Sequence, residues 1–127
     1  MGFTILRPED HEFKPPSWRP EEPERRIVEL PLHATMRHSR AHLWRYPPGA
    51  KGRLHIEHLQ EEVFVVVEGT PSVMVGDPPT LHEAPRGTLV FVDPGTPRRW
   101  QNDSAEDALI FAYGAPAESS PEVLEDG

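Results

Sequence analysis

The sequence predicts an all-β domain, a sandwich or barrel of short strands, on three observations. Eight short runs are rich in β-branched and aromatic residues, turn chemistry separates them, and no window of about 11 residues shows helical periodicity with caps. The predicted strands are Arg26–Leu30, Ala41–Tyr46, Arg53–His58, Val63–Val67, Ser72–Val75, Thr88–Val92, Arg98–Gln101 and Ala108–Tyr113. Their separators include Pro-Pro-Gly, Glu-Gly-Thr-Pro, Gly-Asp-Pro-Pro, Pro-Arg-Gly, Asp-Pro-Gly-Thr-Pro and Asn-Asp-Ser, where glycine supplies unusual backbone angles and proline pre-sets φ.

Ahead of the first strand, residues 1–24 hold Pro8, Pro15, Pro16, Pro20 and Pro23 among charged side chains. Proline removes backbone donors, so this segment is expected to be extended and irregular. Two readings stay open for it: disorder, or wrapping of the body through Phe3, Ile5, Leu6, Phe13 and Trp18. The body is assigned to residues 25–116, and residues 117–127 read as a mobile acidic tail. Val63–Val67 is apolar at both strand parities, so both faces are expected to be buried, the outer one under the N-terminal segment or a second subunit.

Composition narrows the function classes. A chain of 127 residues fits one domain with a buried core. The absence of cysteine excludes a disulfide scaffold, a thiolate zinc site and a cysteine nucleophile. No apolar run approaches the roughly 20 residues of a membrane span, and the first apolar residues stop at Arg7-Pro8, short of a secretory signal. A soluble cytoplasmic protein is expected. The net charge of −8 is uneven: residues 100–127 carry seven acids and no Lys or Arg, while residues 1–99 hold 14 acids against 13 bases. Without a clustered basic face, nucleic acid is not an expected partner, nor is a membrane.

The chemistry concentrates between Gly49 and Gly69. On a strand, Arg53, His55 and Glu57 share one face, and a hairpin through His58–Glu61 returns Glu62 beside them. Imidazole and carboxylates brought together can hold a first-row metal ion. The same residues also fit a solvated turn rich in charge. On the Arg98–Gln101 strand, Trp100 shares parity with Arg98 and Asn102, which makes it a candidate pocket wall. Phe91, Phe111, Trp44 and Tyr46 are assigned to packing, His42 and His82 to structural roles, and His11, His33 and His38 to the surface.

These residues resemble the two motifs of the cupin superfamily. Gly49, His55, Glu62 and Gly69 match the first, Gly-x5-His-x-His-x(3,4)-Glu-x6-Gly; Gly87, Gly95 and Asn102 match the second, Gly-x5-Pro-x-Gly-x2-His-x3-Asn. The resemblance implies a double-stranded β-helix, jelly-roll-like barrel over roughly residues 26–116, commonly dimeric, with one site at its mouth. Two histidine positions depart from the pattern. The second in motif one is Glu57, or His58 if the shorter spacing applies, and that of motif two is Arg98; Asp93 takes the motif-two proline position.

Two readings of the site follow. A single divalent transition metal binds through His55, Glu57 or His58, and Glu62, as in dioxygenase, isomerase or decarboxylase cupins. Alternatively no metal binds, because Arg98 has replaced it between Glu57 and Glu62; a guanidinium cannot deprotonate to ligate a cation. The leading expectation is a small-molecule-binding protein, likewise a homodimer, in which Arg98, Trp100, His55 and Glu57 meet an anionic ligand. No catalytic residue is assigned.

Overall fold

The computed structural model describes residues 2–118 and 120–125. Ten strands follow in chain order: β1 (Arg26–Glu29), β2 (Arg40–Tyr46), β3 (Leu54–Ile56), β4 (Glu61–Glu68), β5 (Ser72–Gly76), β6 (Pro79–Glu83), β7 (Leu89–Val92), β8 (Arg98–Gln101), β9 (Ala108–Ala115) and β10 (Glu122–Glu125). They form two antiparallel five-stranded sheets, ordered β1-β2-β9-β4-β7 and β10-β3-β8-β5-β6. The fold is a jelly-roll, the double-stranded β-helix of the expectation. Short 3-10 turns at Pro8–Asp10 and Leu30–Leu32 are the helical elements among the described residues, and no helix there is long and apolar enough to cross a membrane.

Alternation along the strands decides what each sheet buries. On β4, Glu62, Phe64 and Val66 turn inward while Val63 and Val67 are exposed. The inward residues of β9 are Ala108, Ile110 and Ala112, and the two alanines leave room for Phe64 and Trp100, edge to face with ring centroids 5.4 Å apart. The expectation that both faces of Val63–Val67 are buried does not hold within one chain. The N-terminal segment instead runs beside β1, bridged at Lys14 to Ile27, and leaves Val63 and Val67 exposed.

Two strands carry no signal that sequence reading detects. In β6, Pro79 begins the strand and four of its five residues are exposed, so no apolar alternation marks it. β10 lies within the expected acidic tail, of which Ser119, Asp126 and Gly127 fall outside the described residues. None of its four residues is buried, and it is held by pairing to β3.

The motif residues close the turns. Gly69 has φ +81°, and a β-carbon there would press on the carbonyl oxygen of Asp107 and on Ala108. Asn102, fully buried, donates from Nδ2 to the carbonyls of Tyr46 and Glu106. It thereby ties the end of β2 to the β8–β9 turn.

Candidate functional site

His55 projects from β3, opposite Arg98 of β8 in strand register, and Glu57 follows β3 directly. Glu62 comes from β4 in the other sheet, so it meets His55 and Glu57 across the barrel rather than along a paired hairpin. Ligand atoms of His55, Glu57 and Glu62 all lie within 4.8 Å of one another. The Glu57 backbone is fixed where its carbonyl accepts from the Gly95 N–H at 2.8 Å, linking the two motifs.

Each carboxylate has its own arginine. Arg98 Nη1 donates to Glu62 Oε1 at 2.7 Å, and Arg40 Nη2 donates to Glu57 Oε1 at 3.0 Å. Arg98 spends its other donors on the Thr96 and Asp93 carbonyls, at 2.9 and 3.2 Å, and is 0% exposed. Arg40 also reaches Gln60 Oε1 at 2.8 Å. Burial nonetheless pushes Glu57 up to about 7, against the attraction of Arg40, and the nearby Glu62 adds to the rise. Burial raises Glu62 too, outweighing Arg98 and Arg40.

His55 Nδ1 lies 2.9 Å from the Arg53 carbonyl, which can only accept, so Nδ1 carries the proton and Nε2 offers a lone pair. That Nε2 is 3.6 Å from Glu57 Oε1. Burial lowers His55 to about 4, so the ring is neutral near neutral pH. The donor set therefore fits a divalent first-row cation: one neutral imidazole nitrogen and two carboxylates, with Glu57 Oε2 buried and without a partner.

A cavity of about 500 Å³ opens above this cluster. Its walls are aromatic, from Trp18, His42, Trp44, Tyr46, Phe64 and Trp100. Three guanidinium groups, Arg25, Arg40 and Arg53, line it against the single carboxylate of Glu62. Arg25 lies over the Trp44 ring, 4.6 Å from its centroid, and its Nη2 donates to Glu22 Oε1 at 2.7 Å. Ser120, Pro121 and Val123 complete the rim.

Of the residues singled out from sequence, His55, Glu62 and Trp100 reach the cavity wall, and Glu57 sits behind His55. Arg98 stands beneath Glu62 with no exposed surface, so its guanidinium is committed to the protein and not presented to the cavity. It pairs with one of the two carboxylates between which the sequence places it, Arg40 serving the other. His58 does not join the cluster: its Nε2 lies 2.9 Å from Glu122 Oε1 on the exposed side of β10.

Trp44 and Tyr46, assigned to packing from sequence, and His42, assigned to a structural role, all face the cavity with Arg40. Their signal is the alternation Arg40, His42, Trp44, Tyr46 along β2. Arg25, Trp18 and the β10 rim arrive from distant segments and leave no local mark. Phe91, also assigned to packing, is 54% exposed.

Comparison with known proteins agrees with the fold. Residues 42–113 match the family described as Cupin domain, which is more than half of the chain. No curated protein matches the sequence. Among solved structures, the polyketide cyclase RemF from Streptomyces resistomycificus superposes with a TM-score of 0.81 at 14% identity, covering 99% of this chain and 88% of that one. KdgF from Halomonas sp. gives 0.77 at 15% identity, over 93% and 97%. The protein TT1209 from Thermus thermophilus gives 0.60 at 26% identity, over 71% and 83%.

Proposed function

The chain belongs to the cupin family, and on that premise we propose that its barrel is a small-molecule site for an organic anion. The observation that carries this reading is the cavity lining, three guanidinium groups to one carboxylate among aromatic walls. Arg25 is held by Glu22 through Nε and Nη2 and by the Tyr46 hydroxyl through Nη1, and Arg40 by Glu57 and Gln60, which fixes both guanidinium groups in place at the cavity wall. The buried Trp100 Nε1, a donor without a partner, is a further group that a bound acceptor satisfies. In chelator-treated protein, small carboxylates are expected to raise the melting temperature. Arg53→Gln should weaken the best of them by roughly 10- to 100-fold, the worth of one charge-assisted hydrogen bond. A carboxylate panel without effect on wild-type melting contradicts the reading.

The His55–Glu57–Glu62 cluster favours a second reading, a divalent-metal cupin enzyme. His55 Nε2, Glu57 and Glu62 would hold the ion, which when bound supplies a Lewis acid for an oxygen-bearing substrate. Protein purified without chelator and challenged with zinc, manganese, nickel and iron is then expected to take about one ion per chain. Glu62→Ala should abolish uptake. No metal under any challenge removes this reading.

We also propose that the protein is a homodimer through the outer face of the β4–β7–β9 sheet. Val63, Val67, Leu89, Phe91 and Tyr113 stand exposed there, with Leu89 71% exposed on the edge strand β7. A largely apolar face, with Glu61 at one end of β4, is a costly surface in water, and a two-fold contact covers it with an identical face. Light scattering should give twice the 14.4 kDa chain mass, and Phe91→Glu should return it to one chain. A monomeric wild type contradicts this assembly.

A further inference from the structure

Trp18 stands apart from the rest of the cavity wall. It comes from the proline-rich arm, outside the matched residues 42–113, and it is 51% exposed at the cavity mouth. A large apolar ring left this open usually sits on a mobile segment. Here the arm is held on both sides of it. Lys14 bridges Ile27, Pro16 is fully buried, and Ser17 donates from both N and Oγ to the Glu29 carboxylate, at 3.0 and 2.7 Å. Beyond it, the Arg19 N–H donates to the Pro16 carbonyl at 3.0 Å, and Arg19 Nη1 reaches Glu22 Oε1 at 3.1 Å.

The indole faces other rings. Its centroid is 5.6 Å from His42 and 6.0 Å from Trp44, the latter edge to face. The guanidinium of Arg25 lies over Trp44 on the way into the cavity. Flat, polarisable surfaces at the mouth thus lead to cationic groups inside.

Resting on the organic-anion reading above, we propose that Trp18 is a specificity-determining residue that stacks on the ligand, so that the cavity selects anions bearing a planar aromatic ring. The ring lies against Trp18 at the mouth, and the anionic group extends toward Arg25 and Arg53. Burial of the exposed indole face supplies the preference, because a flat ring covers it better than a puckered saturated one.

The probes are 2-naphthoate and decalin-2-carboxylate, which share a carbon skeleton and charge and differ in planarity. Calorimetric titration of wild-type protein should show 2-naphthoate binding about tenfold more tightly. Trp18→Phe keeps a flat ring and should keep most of that preference, whereas Trp18→Leu keeps apolar bulk without it and should bind both acids alike. Melting curves of both variants report whether the arm stays folded. A preference that survives in Trp18→Leu, or two acids that bind wild type equally, overturns the role of Trp18 and leaves the anion site standing. If neither acid binds wild type while small carboxylates still raise its melting temperature, the role of Trp18 falls and the anion site stands; if small carboxylates have no effect either, the anion-site reading falls and this proposal falls with it.

Discussion

Arg98→Ala should cost about 3–5 kcal/mol of folding stability, the usual penalty for removing one partner of a buried ion pair. The guanidinium is wholly buried, and its 2.7 Å bond to Glu62 is joined by bonds to the Thr96 and Asp93 carbonyls. Without it, Glu62 keeps a buried charge whose remaining attraction comes from Arg40. Glu62 is already raised by burial, so it takes up a proton readily once Arg98 is gone, and the penalty should shrink toward acid pH. Arg98→Met combined with Glu62→Gln strands no charge and should recover part of the loss. Urea unfolding at pH 5 and 8 reads all three quantities. An Arg98→Ala protein as stable as wild type at pH 8 would show that this pair does not hold the barrel mouth together.

Glu57 makes the stability of the protein depend on pH in a direction opposite to that of its histidines. Its carboxyl is pushed up to about 7 in the folded chain from an ordinary 4.5. Between those values the folded state holds a proton that the unfolded state has released, so stability falls as pH rises through the window. The loss is complete above about 7 and amounts to roughly 3.5 kcal/mol at about 1.4 kcal/mol per unit.

His55 and His42 are both lowered to about 4 from 6.5 by burial, with Arg40 adding to the effect at His42. There the unfolded state holds more protons, so their contribution is lost as pH falls from 6.5 toward 4. Stability should therefore peak between about pH 6 and 7. Glu57→Gln removes the alkaline limb: relative to wild type it should gain about 2–3 kcal/mol between pH 5 and pH 8, measured with chelator present. Parallel profiles for the two proteins would place Glu57 in an environment far wetter than its burial implies.

The fold is legible in the sequence because its signals are local. Gly69 and the proline-rich turns punctuate the chain where the backbone must reverse, and the β-branched and aromatic runs of β2, β4 and β9 mark strands without tertiary information, although Val63–Val67, apolar at both parities, does not show which face is buried. The neighbourhood of His55, Glu57 and Glu62 is readable for the same reason, since parity and a short return place them together.

What stays hidden depends on pairing between distant segments. Arg40 as partner of Glu57 lies 17 residues away in sequence and in the opposite sheet. The Glu118 carboxylate accepts from the N–H groups of His58, Leu59 and Gln60, a contact that draws the acidic tail to the cavity rim and turns His58 toward Glu122. A charge pattern alone reads such residues as solvated. Arg98 shows the converse: motif spacing places it at the site, but only packing reveals that its donors are already committed.

The most direct measurement is a crystal structure of chelator-treated protein saturated with 2-naphthoate. The expected result is the carboxylate within about 3 Å of a cavity guanidinium from Arg25, Arg40 or Arg53, with the ring toward Trp18. An empty cavity at saturating ligand, or a ligand seated on the outer β4–β7–β9 face, would contradict an organic-anion site in this barrel.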